Sequence, residues 1–170
     1  VLYSREVIPQ KTRELCAVAS LTVSPDGNHV YAAAMTDSAV AVFGRDTATG
    51  QLTFVEMLKD GIGGVDGLAS AAAVTISSDG NHVYAAGRNE NAVALFSRNA
   101  STGQLTYVEK IQDGVGGVDG LNYVVGLWLS PNGNELYAVG QSDNAVAVLR
   151  RNATTGRLTF EQAVKDGQDG

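Results

Sequence analysis

A repeat of 53 residues dominates this sequence and constrains its fold more than any other feature. The turn Ser24-Pro25-Asp26-Gly27 recurs at that spacing as Ser77-Ser78-Asp79-Gly80, and again as Ser130-Pro131-Asn132-Gly133. Residues 21–73 and 74–126 align without a gap and share 30 identities in 53 positions. Such close repetition predicts several copies of one supersecondary unit.

Each copy contains four short β-forming runs separated by turn residues. In the first copy the predicted strands cover residues 21–24, 29–34, 39–45 and 51–58. Gly, Asn and Asp interrupt these runs too often for a helix, and β-branched residues favour strands. Four antiparallel strands at this repeat length are typical of a β-propeller blade. The predicted fold class is therefore all-β, with three four-stranded antiparallel blades that form a partial propeller or part of an oligomeric one.

The predicted organisation is a leading strand followed by three blades. Propellers typically close with about four to eight blades, so three cannot close a ring alone. Three explanations stay open: an excerpt of a longer propeller, a six-bladed ring of two copies, or a leading strand donated to a neighbouring subunit. The predicted bounds are 1–14 for the leading strand, and 15–67, 68–120 and 121–170 for the blades. The predicted assembly residues of the leading strand are Val1, Leu2, Tyr3, Val7 and Ile8.

Charge and hydropathy narrow the classes of partner. The net charge of −6 disfavours binding to nucleic acid or to an anionic membrane surface. No apolar run approaches the roughly 20 residues that a membrane-spanning helix needs, so membrane insertion is not predicted. The predicted partners are other copies of the chain or other surface proteins.

Acidic residues recur in the Gly-rich loops over residues 60–67 and 113–120. Calcium requires several oxygen ligands, so these carboxylates are a candidate calcium site. Their spacing matches neither an EF-hand loop nor the calcium-binding nonapeptide repeat, and tight turns explain the glycines more simply. The candidate metal ligands are Asp60, Asp66, Asp113 and Asp119.

Other polar residues recur at equivalent places in the copies. His29 and His82 each follow a Gly-Asn turn, and we expect them to be ordinary, partly exposed histidines. Arg45, Arg98 and Arg151 end the predicted third strands, and we expect each to pair with a carboxylate on its own hairpin.

Two aromatic residues distinguish the third copy from the others. Trp128 stands where the other copies have Thr22 and Thr75, and Tyr123 precedes it near the start of the same strand. An aromatic side chain near a propeller channel can stack on a sugar or a base. A packing substitution is the simpler interpretation.

Several sequence blocks carry a family resemblance. SPDGNHVYAA and TGQLTFVE resemble blades of the lactonase-type seven-bladed propellers, which include 6-phosphogluconolactonase-like proteins and YVTN-type surface-layer repeats. The loop KDGIGGVDG also resembles tandem repeats of large bacterial cell-surface proteins. The resemblance covers residues 15–170 and implies a propeller at the cell surface or outside the cell.

The resemblance to the enzymes is weaker at the residues that would carry catalysis. In lactonase-type enzymes His, Arg and Glu surround the channel mouth, often just before the first strand of a blade. The matching segments here, 17–20, 70–73 and 123–126, contain none of these residues. We therefore predict no catalytic residue and no cofactor other than calcium. The preferred interpretation is a non-catalytic scaffold for protein binding or self-assembly. The alternatives are a lactonase-like hydrolase with catalytic residues outside these blades, and a carbohydrate- or calcium-binding propeller.

Overall fold

The three repeats form three separate four-stranded antiparallel sheets. A computed structural model describes residues 15–167 of the chain, so the predicted leading strand with Val1, Leu2, Tyr3, Val7 and Ile8 lies outside the described residues. The first sheet contains β1 (Val18–Val23), β2 (His29–Ala34), β3 (Ala39–Arg45) and β4 (Leu52–Lys59). The second contains β5 (Ala71–Ile76), β6 (His82–Gly87), β7 (Ala92–Arg98) and β8 (Leu105–Gln112). The third contains β9 (Val124–Leu129), β10 (Glu135–Gly140), β11 (Ala145–Arg151) and β12 (Leu158–Lys165).

The strands of each sheet are hydrogen-bonded in chain order, which confirms the predicted blade architecture. The first strands of neighbouring sheets lie side by side, since β1 contacts β5 and β5 contacts β9. These inner strands therefore form one side of a central channel. No helix among residues 15–167 has the length and apolar character needed to cross a membrane.

Two loop-bearing faces result from this topology. One face carries the turns between the second and third strands and the loops that lead from one sheet to the next. We call it the upper face. A 3-10 turn, Arg88–Glu90, lies on this face between β6 and β7. The opposite face carries the turns between the first and second strands and the hairpin loops between the third and fourth strands. We call it the lower face. The upper face surrounds the start of each inner strand, and hence one mouth of the channel.

Two apolar cores fill the spaces between neighbouring sheets. Between the first two sheets, Val42 and Val40 pack with Val83 and Phe96, and each of these side chains is fully buried. Alanines on the same surfaces allow the sheets to approach closely. An equivalent core joins the second and third sheets. Each blade thus depends on its neighbours to bury its apolar surface, as expected for a repeat architecture.

The third strands have the predicted bounds in all three blades. The prediction was wrong for the first strands, which begin three residues earlier. In β1, Val18 pairs with Ala34 and Ser20 with Ala33, so the ladder continues through a bulge that adds a residue to one strand. A bulge has no simple alternation in sequence, and the prediction therefore missed this part of each inner strand.

Candidate functional site at the channel mouth

A buried hydrogen-bond network on the lower face joins the first blade to the second. Arg98, at the end of β7, donates from Nη2 to Asp26 Oδ2 at 2.7 Å and to His29 Nδ1 at 2.9 Å. Its Nε donates to the hydroxyl of Tyr31 at 2.6 Å, and that hydroxyl donates to the carbonyl of Gly103 at 2.9 Å. One guanidinium therefore connects three side chains of the preceding blade.

The same network joins the second blade to the third. Arg151 donates to Asp79 at 2.6 Å, to His82 at 3.0 Å and to Tyr84 at 2.9 Å. The expectation that these arginines pair within their own hairpins was wrong for both Arg98 and Arg151. Strands β7 and β11 end beside the preceding sheet, so their buried guanidinium groups meet carboxylates of that blade.

The network shifts the proton affinities of its members. Burial opposes the charged form of Asp26, but hydrogen bonds from Ser24 and Arg98 outweigh it and hold the pKa of this carboxyl well below its usual value. The same balance lowers the pKa of Asp79 to about 2. Burial raises the pKa of the Tyr84 hydroxyl to about 12. The network is thus an anionic carboxylate, a cationic guanidinium and a neutral phenol.

The histidines of this network are buried, which contradicts the expectation that they are partly exposed. His29 and His82 are each only 6% exposed. Burial, together with the nearby Arg98 or Arg151, lowers the pKa of each imidazole. Since an arginine donates to Nδ1, this nitrogen is an acceptor and the ring is neutral. The network therefore serves packing and cohesion between blades.

Acid sensitivity follows from these two histidines. Above pH of about 6.5 they are neutral in both folded and unfolded chains, and stability does not depend on them. Below that value the unfolded chain takes up protons more readily than the folded chain, so stability falls as the pH decreases. We expect the melting temperature to decline between pH 6.5 and 5. The double variant His29→Gln, His82→Gln should show a flatter profile in this range. An identical slope in both proteins would contradict this assignment.

Carboxylates gather on the upper face beside the second blade. Oxygens of Asp60, Asp66 and Glu90 lie within 4.8 Å of one another. Asp60 accepts a hydrogen bond from the backbone of Leu68 at 2.9 Å. Lys110 Nζ contacts Asp66 at 2.9 Å and Glu90 at 3.5 Å. The structure thus brings two predicted metal ligands together and adds a third carboxylate, but an ammonium group already contributes positive charge to the cluster.

An equivalent cluster lies beside the third blade. Asp113 and Asp119 are grouped there with Asp143. Lys165 Nζ contacts Asp119 at 2.6 Å, and the backbone of Leu121 donates to Asp113 at 3.0 Å. Both clusters thus hold the loop between two blades in place. Calcium binding at Asp60, Asp66, Asp113 and Asp119 stays a prediction.

A guanidinium lies at the channel mouth on the same face. Arg88 follows β6 and stacks on the ring of Tyr123, the residue directly before the inner strand β9, with 3.8 Å between the guanidinium carbon and the ring centroid. Its Nη2 also donates to the Tyr123 hydroxyl. The Nε of Arg88 is buried without a hydrogen-bond partner among the residues that the structure describes. This pair puts a cation beside segment 123–126, in which the sequence analysis found no His, Arg or Glu.

The backbone beneath this pair is constrained. Tyr123 has φ of +59°, in the left-handed region that bulky residues rarely adopt. Its amide donates to the side chain of Asn91 at 2.8 Å, and its carbonyl accepts from the amide of Gln141 at 3.2 Å. Ala17 and Ser70 have the same backbone conformation at the equivalent positions of the other blades. The fold therefore fixes this position in every blade, but only the third blade places an aromatic ring there.

Sequence reasoning missed Arg88 because it looked for the His, Arg and Glu of a catalytic site only in segments 17–20, 70–73 and 123–126. Arg88 comes from the turn after a second strand, and the fold brings this turn to the mouth. Its difference from the other copies would have revealed it, because the equivalent residues of the first and third copies are Met35 and Gln141. Tyr123 departs from the repeat in the same way.

Trp128 is 60% exposed and lies on the inner strand of the third blade. It borders a cavity of about 320 Å³ on the channel side, together with Thr22 and Thr75 of the neighbouring inner strands. Gly126 leaves room for its ring, because a Cβ there would lie 2.5 Å from the indole. The wall below the mouth thus combines an aromatic surface with hydroxyl groups.

Comparison with known proteins identifies the family. The model of the lactonase family, described as a seven-bladed β-propeller, matches residues 2–62 and 21–169. The chain belongs to this lactonase family. The 6-phosphogluconolactonase of Bacillus subtilis (strain 168) is 27% identical over 92 residues, which cover 54% of this chain and 25% of that protein. The match therefore covers about a quarter of the length of this relative.

Solved structures agree with the family assignment. A proposed 6-phosphogluconolactonase from Bacteroides uniformis ATCC 8492 superposes with a TM-score of 0.71 at 28% identity, covering 85% of this chain and 39% of that one. The periplasmic gluconolactonase of Pseudomonas aeruginosa superposes with a TM-score of 0.72 at 24% identity, covering 85% and 39%. At this lower identity the second likeness shows the fold alone. The lactonase propeller is thus the established architecture of the described blades.

Proposed function

We propose that this lactonase-family chain provides three blades of a propeller that hydrolyses a sugar-acid lactone at its upper mouth. The observation that carries the proposal is the family match, which extends over almost the whole chain. The similar proteins named as 6-phosphogluconolactonases support it. These likenesses favour the lactonase alternative over the non-catalytic scaffold that the sequence analysis preferred.

The chemistry requires few groups from the protein. A water oxygen adds to the lactone carbonyl carbon, the ring C–O bond breaks, and the ring oxygen takes a proton to give the hydroxy acid. Donors aimed at the developing oxyanion and a general base accelerate such acyl transfer. Residues 17–20, 70–73 and 123–126, at the start of the inner strands, supply no Asp, Glu or His. Carboxylates elsewhere on the upper face, such as Asp66 and Glu90, already contact Lys110. In this proposal the acid–base groups therefore lie outside the described blades. The hydrolase alternative of the sequence analysis makes the same assumption.

The hydrolysis of glucono-δ-lactone and of its 6-phosphate by the intact protein tests this proposal. Proton release can be followed with a pH indicator and corrected for the spontaneous rate. We expect a saturable acceleration that depends on protein concentration. A rate indistinguishable from the spontaneous one for both lactones would refute the proposal and favour the scaffold. Self-association, binding to other surface proteins and a cell-surface location stay predictions.

A further inference from the structure

We infer that Arg88 and Tyr123 form an anion-recognition site at the upper mouth that takes the phosphate group of a phosphorylated sugar lactone. The inference rests on the proposed function for its substrate class, but the site itself rests on the structure. It assigns to this chain a residue that determines specificity and no residue that performs the chemical step.

The charge of Arg88 is not balanced by a carboxylate among the described residues. Seven of the nine Lys and Arg side chains within residues 15–167 form ion pairs, and Arg88 is not one of them. The chain as a whole has a net charge of −6, so its general field repels an anionic substrate. A local unpaired guanidinium at the mouth supplies the attraction that such a substrate needs.

The stacked geometry leaves the guanidinium available to a ligand. Tyr123 covers one face of the guanidinium, and its hydroxyl accepts one hydrogen bond from Nη2. The remaining N–H groups of the planar fork suit the bidentate pattern of phosphate oxygens. Because the Tyr123 hydroxyl accepts from Arg88, its own proton can be donated to the same phosphate.

Departure from the repeat supports a functional role for the pair. The left-handed backbone at Tyr123 is common to the described blades, since Ala17 and Ser70 share it, but the side chains at this position differ. Here Asn91 and Gln141 hold the backbone of Tyr123 by hydrogen bonds. The other blades have Ala17 or Ser70 at this position and Met35 or Gln141 at the position of Arg88. Among the described blades, an arginine and a tyrosine therefore meet at one blade boundary, as expected for a single ligand site.

The repeat supplies the test variant, since Arg88→Gln introduces the residue that the third blade carries at this position. In the intact protein we expect this variant to reduce kcat/KM for the 6-phosphorylated lactone about 10- to 100-fold. The value for the unphosphorylated lactone should change by less than about two-fold. Arg157→Gln is the matched control, because it removes an exposed guanidinium on the lower face and should alter neither value. If Arg88→Gln does not fold, Arg88→Met, which copies Met35, replaces it.

A binding measurement separates this inference from the proposed hydrolysis. We expect calorimetry to detect 6-phosphogluconate binding to the wild type, weaker binding of gluconate, and loss of this difference in Arg88→Gln. That result supports the site even where no lactone is hydrolysed. Equal discrimination between the two compounds by wild type and variant would overturn the inference, and it would do so even if the protein proved to be a lactonase.

Discussion

Replacing Arg98 by methionine is expected to lower the free energy of unfolding by about 3 kcal/mol. The variant keeps an apolar stem but removes a guanidinium that is 1% exposed and that bonds to Asp26, His29 and Tyr31 across a blade boundary. Removal of one partner from a buried ion pair typically costs about 3–5 kcal/mol. Asp26 is 35% exposed, and the water it reaches favours the lower end of that range.

Urea unfolding followed by circular dichroism measures this effect. Arg150→Met is the matched control, since Arg150 is 64% exposed and pairs with Glu161 on its own blade. Exposed ion pairs contribute little to stability, so its unfolding midpoint should stay near that of the wild type. Similar midpoints for the Arg98 and Arg150 variants would show that the inter-blade network does not stabilise the fold.

A single methyl group at Gly103 is expected to destabilise the protein by about 3 kcal/mol. Gly103 has φ of +76° and lies against the ring of His29, so the Cβ of alanine would overlap the imidazole. The left-handed conformation costs alanine about 1–2 kcal/mol, and overpacking adds about 1–3 kcal/mol. The glycine is therefore required by its conformation and by the neighbouring blade together.

The first blade offers a control that separates these two contributions. Gly50 is the equivalent residue, with φ of +75°, but a Cβ there would meet no atom within 4 Å. We expect Gly50→Ala to cost only about 1 kcal/mol. In the Gly103→Ala background, the further change His29→Ala should recover part of the lost stability, which a double-mutant cycle quantifies. Equal costs at Gly50 and Gly103 would contradict the packing of His29 against the hairpin loop.

The strands were predictable because short-range pattern determines them. Turn residues bracket each β-forming run, and the third strands, such as Ala39–Arg45, were predicted to the residue. The bulge near Ser20 was not predictable, because only the partner strand shows that one residue is left unpaired. The blade architecture thus follows from sequence, but its irregularities depend on pairing.

The partners of charged side chains were less predictable than the strands. Sequence places Arg98 beside its own hairpin, but its carboxylate partner Asp26 is 72 residues away in the preceding blade. Arg88 and Tyr123 are 35 residues apart, and only the fold shows that they meet at the mouth. Repeats of similar sequence hide such contacts, because each pairing between blades has a plausible counterpart within one blade. Departures from the repeat are the better guide to function.

We propose that the upper mouth of these blades is the substrate site of a lactonase-family propeller. A crystal structure of the intact protein with bound 6-phosphogluconate, the hydroxy acid formed by hydrolysis, tests it most directly. We predict the phosphate beside Arg88 and the Tyr123 hydroxyl, with the sugar chain directed over the channel. Ligand bound elsewhere, with the stack of Arg88 on Tyr123 unoccupied, would contradict the claim.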